Sequence, residues 1–145
     1  MTQTVESALA QATFYNDGQN YALVKLPTKA ITAAAGVLAE IGEPFAALIV
    51  DKDETTLIVE EEGFEELAVR LPGHILSPIF YRLITIDVEL APELTGFMAR
   101  IGTALAGAGV TILPLAAYSR DHLLVPAAQF DSALQALEAL KSSVM

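Results

Sequence analysis

Asp121 and His122 are neighbours in the sequence, and a carboxylate beside an imidazole is the pairing that could move a proton. On an extended strand adjacent side chains point to opposite faces, so the two need not meet. The plainer reading is an aspartate that caps a turn beside a histidine packed on a sheet. Ligand contact and acid–base work stay open beside it. No second carboxylate, serine–histidine pair or metal cluster groups with them along the chain. Gly102, Gly107 and Gly109 are spaced loosely like a phosphate-binding loop, but they fall within and after a helical pattern and lack the lysine such a loop requires. Close helix packing explains them better. The chain has no cysteine, which excludes disulfides and a thiolate nucleophile. With His74 and His122 as its two histidines it cannot build a multi-histidine zinc site. No catalytic residue, metal or cofactor is expected.

Eight Lys and Arg against eighteen Asp and Glu give a formal net charge of −10 over 145 residues, a field that repels phosphate backbones. Nucleic acid is therefore not an expected partner. Eight of the acids fall between Asp51 and Glu66, where they read as a solvated strand, turn and helix start. The mean hydropathy of +0.47 is high for a small soluble chain and points to apolar surface covered by a second copy, so a homodimer is expected. The first residues carry no basic, apolar leader pattern. The longest continuous apolar run, Phe45–Val50, is far short of the roughly 18 residues that a membrane span needs. The expected setting is the cytoplasm, with no membrane partner.

The elements that would position these residues fall into two halves. A possible strand near Leu9–Tyr15 is followed by Asn16-Asp17-Gly18-Gln19-Asn20, which reads as a hairpin turn into a strand over Tyr21–Leu26. Ile31, Ala34, Ala35, Leu38 and Ile41 repeat at helical spacing and are stopped by Gly42 and Pro44. Phe45–Val50 reads as a buried strand, Thr55–Val59 as its return, and Gly63–Val69 as a short helix. Leu71-Pro72-Gly73 and Ser77-Pro78 punctuate the chain and suggest halves at 1–76 and 77–145. In the second half Tyr81–Leu90 alternates as a strand with one wet face. Leu94, Phe97, Met98, Ile101 and Leu105 then share one helix face. Val110–Ala117 and Leu123–Val125 read as paired strands around a turn at Ser119–Asp121, and Phe130, Leu134, Leu137 and Leu140 mark a last helix. The order is β-α-β-β-α twice, the split βαβ of an α+β, ferredoxin-like sandwich with antiparallel sheets. Neither half shows a clear fourth strand. Ser142–Met145 is too short, and Leu9–Tyr15 is a candidate to complete a sheet.

Residues 84–110, with Pro92-Glu93-Leu94-Thr95-Gly96 leading into the helix, and the run Tyr118-Ser119-Arg120-Asp121-His122-Leu123-Leu124-Val125-Pro126 resemble the ACT-domain family. More narrowly, the chain is similar to small stand-alone bacterial proteins with two ACT-type halves, related in layout to arginine-sensing ACT proteins. The resemblance implies a βαββαβ fold that dimerises and binds small ligands, usually amino acids, between its first strand and first helix. It places a ligand site at Leu90, Ala91, Pro92, Glu93, Leu94, Thr95 and Gly96, faced by Tyr118, Asp121 and His122. The chain departs from the pattern at Leu90-Ala91 and Ala116-Ala117, where relatives carry small hydroxyl residues. The function implied is a non-catalytic regulatory sensor that passes its signal to an effector protein. An oligomerisation module with a vestigial site and, more weakly, a small ferredoxin-like enzyme are the alternatives.

Overall fold

In the computed structural model, which describes residues 2–145, the elements in chain order are α1 (Val5–Gln11), β1 (Thr13–Tyr15), β2 (Asn20–Leu26), α2 (Ile31–Ile41), β3 (Ala47–Val50), β4 (Thr55–Glu60), α3 (Glu61–Leu67), β5 (Ile75–Leu76), β6 (Tyr81–Asp87), α4 (Phe97–Gly107), β7 (Leu113–Ala116), β8 (Asp121–Pro126) and α5 (Phe130–Ser143). They divide into two compact units: Asp17–Tyr81, and Met1–Asn16 together with Arg82–Met145. This differs from the expected halves 1–76 and 77–145, because residues ahead of Asp17 pack with the C-terminal unit.

Within Asp17–Tyr81 the strands lie in the order β3-β4-β2-β5, and β2 pairs antiparallel with both β4 and β5. Ala22, Val24, Leu26, Leu57 and Val59 face a core completed by Ala34 and Val37 of α2 and Phe64 of α3. The expected buried strand at Phe45–Val50 is instead the edge strand β3, with Ile49 and Val50 42% and 49% exposed. The strongly apolar run does not signal two covered faces here.

The second unit has the same order, β7-β8-β6-β1, and its fourth strand is supplied from the other end of the chain. β1 pairs antiparallel with β6 through Thr13–Asp87, Phe14–Ile86 and Tyr15–Thr85. Asn16–Asn20 is accordingly no hairpin, since β1 and β2 belong to different ladders. It remains a turn, with Asp17 Oδ1 accepting the Gln19 N–H at 2.9 Å and Gly18 at φ +75°. Leu9 and its neighbours are helical rather than extended: Thr4 caps α1, accepting the Ser7 N–H while the Ser7 hydroxyl accepts the Thr4 N–H.

Helical spacing brings Phe97, Ile101 and Leu105 of α4 and Phe130, Ala133 and Leu137 of α5 onto Ile84, Ile86, Leu123 and Val125 of the sheet, and Ala8 and Leu9 of α1 join the same core. Lys141 in the last turn of α5 donates to the Ala12 carbonyl at 2.6 Å, tying the helix end to the start of β1. Arg82 lies over the Phe130 ring, its guanidinium carbon 3.9 Å from the centroid, and donates to Asn16 Oδ1 at 3.4 Å. Burial of Leu9 therefore belongs to the C-terminal unit. Leu9→Ala should lower stability to urea by about 2–5 kcal/mol, the range for truncating a buried leucine. A midpoint unchanged from that of the unaltered protein would contradict the seating of α1.

Candidate functional site

β6 ends at Asp87, and residues 88–96 must carry the chain to the start of α4. That segment is tightly turned: the Val88 N–H donates to the Ile86 carbonyl at 2.9 Å and the Leu94 N–H to the Ala91 carbonyl at 3.0 Å. Gly96 precedes α4 at φ +89°, a left-handed angle that glycine adopts without strain. No side chain caps the helix, and its ladder starts with the Arg100 N–H donating to the Gly96 carbonyl at 3.1 Å. The amides of Phe97, Met98 and Ala99 thus sit at the positive end of the helix dipole.

The opposing wall is the turn between β7 and β8, closed by the Ala117 N–H donating to the Arg120 carbonyl at 2.9 Å. The two walls are joined directly: the Leu90 N–H donates to the Ser119 carbonyl at 2.8 Å. Between them lies a cleft of about 390 Å³, in the lower part of the size range of small-molecule pockets.

Of the residues expected at a site, Leu90, Ala91, Pro92, Leu94, Gly96, Tyr118 and Asp121 line this cleft. Tyr118 stands fully exposed at its mouth. Glu93, Thr95 and His122 do not line it. Glu93 borders a separate hollow of about 340 Å³ behind the loop, together with Gln3 and Glu89. The Thr95 hydroxyl donates to the Glu93 carbonyl at 3.4 Å. His122 follows Asp121 on β8 and so points to the other face of the strand, where its Nδ1 is 2.9 Å from Thr85 Oγ1.

Phe97, Met98, Ala99, Ala117, Ser119 and Arg120, which are not among the expected site residues, also line the cleft. Arg120 is the notable one, a cation in the turn next to Asp121, and that adjacency was its available signal. Its Nε donates to Asp87 Oδ1 at 2.8 Å and its Nη1 to Ser119 Oγ at 3.3 Å, so the guanidinium is aimed by two partners.

Burial pushes the Asp121 carboxyl above its ordinary value, against a smaller opposite pull from His122. No donor among the described residues hydrogen-bonds the Asp121 carboxylate. His122 is pushed below its ordinary value chiefly by burial, with Asp121 opposing and Arg120 adding to the effect. Among the described residues no group of three or more His, Cys, Asp or Glu is placed to hold a metal ion. The cleft offers amides at a helix start and a guanidinium for an anion, a half-buried carboxylate for a cation, and apolar walls between them. That combination matches a small zwitterion.

Residues 76–139 match the family model of the ACT domain. No curated protein matches the sequence. A protein of unknown function from Vibrio cholerae, described as a possible transport protein, is 25% identical, with 95% of this chain and 96% of that one covered at a TM-score of 0.72. A protein from Agrobacterium tumefaciens is 20% identical over 90% and 89% of the two chains at 0.68. The regulatory subunit of aspartate kinase from Thermus flavus is 20% identical over 89% and 97% at 0.62. The last two likenesses establish the fold, and the ferredoxin-like expectation is met. No helix among the described residues is long and apolar enough to cross a membrane.

The two shifted groups predict opposite dependences on pH. Folded His122 holds its proton less tightly than the unfolded chain, where imidazole titrates near 6.5, so stability declines as pH falls through about 6.5 towards the depressed folded value. Folded Asp121 holds its proton more tightly, so its contribution grows as pH falls through its raised value towards about 3.9. Urea midpoints between about pH 7.5 and 5.5 should fall less steeply in His122→Asn than in the unaltered protein. Parallel slopes would contradict the burial of this imidazole.

Proposed function

We propose that this chain, whose residues 76–139 match the ACT domain, is a regulatory protein that binds a free amino acid in the cleft between the β6–α4 loop and the β7–β8 turn. It acts without catalysis, as a dimer in the cytoplasm, and its ligand-dependent state is read by an effector protein. The observation that carries the reading is the meeting, in one cleft, of uncapped amides at the start of α4, Arg120 and a half-buried Asp121 carboxylate.

The α-carboxylate lies against the Phe97–Ala99 amides, where the helix dipole favours negative charge. The ammonium group takes Asp121, replacing the hydration that burial has removed from its carboxylate. The side chain of the ligand rests on Leu90, Leu94 and Met98, which favours an apolar residue over a strongly charged one. The shared fold of a regulatory subunit of aspartate kinase supports a regulatory rather than a chemical role. Exposed Tyr118 at the mouth supports a second copy of the chain closing over the cleft. A ligand can shift the packing of such an assembly only as far as it prefers one state over the other.

Thermal unfolding against the twenty amino acids tests this. An amino acid at a hundredfold over its dissociation constant should add about 2.7 kcal/mol, a midpoint rise of roughly 5–10 °C. The rise should vanish in Asp121→Ala. Silence across the panel would leave an oligomerisation module with a relic cleft.

A further inference from the structure

Gln3, ahead of α1, is bonded to the loop that lines the cleft. Gln3 Nε2 donates to the Glu89 carbonyl at 3.0 Å, and Gln3 Oε1 accepts the Ala91 N–H at 2.7 Å. One side-chain amide thus serves the backbone on both sides of Leu90, much as a neighbouring strand does. Leu90 is the residue whose own N–H is bonded to the Ser119 carbonyl across the cleft. Three consecutive loop residues are fixed in alternation, two by Gln3 and one by the facing turn.

Gln3 is itself held in direction. Thr4 is extended at φ −111°, ψ 163°, and is locked to Ser7 by reciprocal hydrogen bonds of 3.0 and 2.9 Å. The helix that follows is anchored by Ala8 and Leu9, both fully buried. A second tie runs from the same helix to α4, where Arg100 Nη1 donates to the Glu6 carboxylate at 3.0 Å. That ion pair is largely exposed and holds weakly. The Gln3 bonds matter more, because they satisfy backbone groups that the tight loop would otherwise leave without protein partners.

We propose that Gln3 is the positioning residue of the cleft: it sets the backbone of Glu89–Ala91 so that Leu90 closes onto Ser119, without touching the ligand. Its consequence for binding rests on the reading of the cleft as the ligand site, whereas its effect on the loop does not.

Amide hydrogen exchange on the full chain without added ligand tests it in four proteins: unaltered, Gln3→Ala, Gln3→Glu and Ser7→Ala. Gln3→Ala removes both bonds. Gln3→Glu keeps the acceptor for Ala91 and loses the donor for Glu89. Ser7→Ala weakens the α1 cap and leaves the Gln3 amide intact. The Ala91 amide should exchange on the order of five- to tenfold faster in Gln3→Ala, as loss of one net hydrogen bond implies. It should stay near its original rate in Gln3→Glu and lie below the Gln3→Ala rate in Ser7→Ala. The α5 amides around Ala133–Leu137 should not change in any of them. An Ala91 rate unchanged in Gln3→Ala, or a uniform rise across α4 and α5, would overturn the assignment. Should the amino-acid panel stay silent while Ala91 responds as described, the functional reading fails and the positioning role stands.

Discussion

The C-terminal unit depends on a pairing between distant parts of the chain. β6 is flanked by β8 on one side, and the Thr85–Asp87 end of its other side needs a partner to satisfy its backbone. Thr13–Tyr15 provides it, which forces the unit to be assembled from both ends of the sequence with Asp17–Tyr81 inserted between them. That constraint explains more than the strand. It draws α1 onto the core, seats Leu9 there, and gives the ammonium of Lys141 the Ala12 carbonyl to bind. It also brings Gln3 to the back of the loop that forms the cleft.

The cleft follows from the same framework. A strand that must turn into a helix within residues 88–96 needs a left-handed residue at the junction, and Gly96 provides it while leaving the helix amides uncapped. The facing turn carries Arg120 and Asp121 side by side, yet they are held differently. Arg120 is bound by Asp87 and Ser119, while Asp121 keeps its carboxylate half-buried beside them. The cost of desolvation ordinarily leaves such a carboxylate in water. Its partial burial beside the uncapped start of α4 gives the cleft a negative and a positive pole, the arrangement on which the proposed reading rests.

The sequence made some of this visible and hid the rest for physical reasons. The periodicity of Phe97, Ile101 and Leu105, and of Phe130 and Leu137, exposed both long helices because each buries one stripe against a sheet. Of Leu9–Tyr15, Thr13–Tyr15 does complete a sheet, whereas Leu9–Gln11 is helical: Leu9, Ala10, Ala12 and Phe14 suit either period, and a seven-residue helix carries too few turns to settle it. Pairing of β1 with β6 is invisible locally, since more than sixty positions separate the partners. The cleft was legible as a loop and a turn, so Leu90, Ala91, Pro92, Leu94, Gly96, Tyr118 and Asp121 were within reach. Glu93, a carboxylate expected with Asp121 to suit a cation, borders a different hollow, Thr95 does not line the cleft, and strand alternation sends His122 to the other face. Gln3 lies far from the loop in sequence, and nothing local could have named it.

The most direct measurement is a titration followed by backbone amide chemical shifts, using the amino acid that most raises the unfolding midpoint. With the ligand in the cleft, the largest changes fall on Leu90, on Phe97–Ala99 and on Ala117–Asp121, saturating together with one affinity. Changes centred instead on the acidic hollow around Glu40, Glu60 and Glu66, with the Phe97–Ala99 amides unmoved, would contradict that placement.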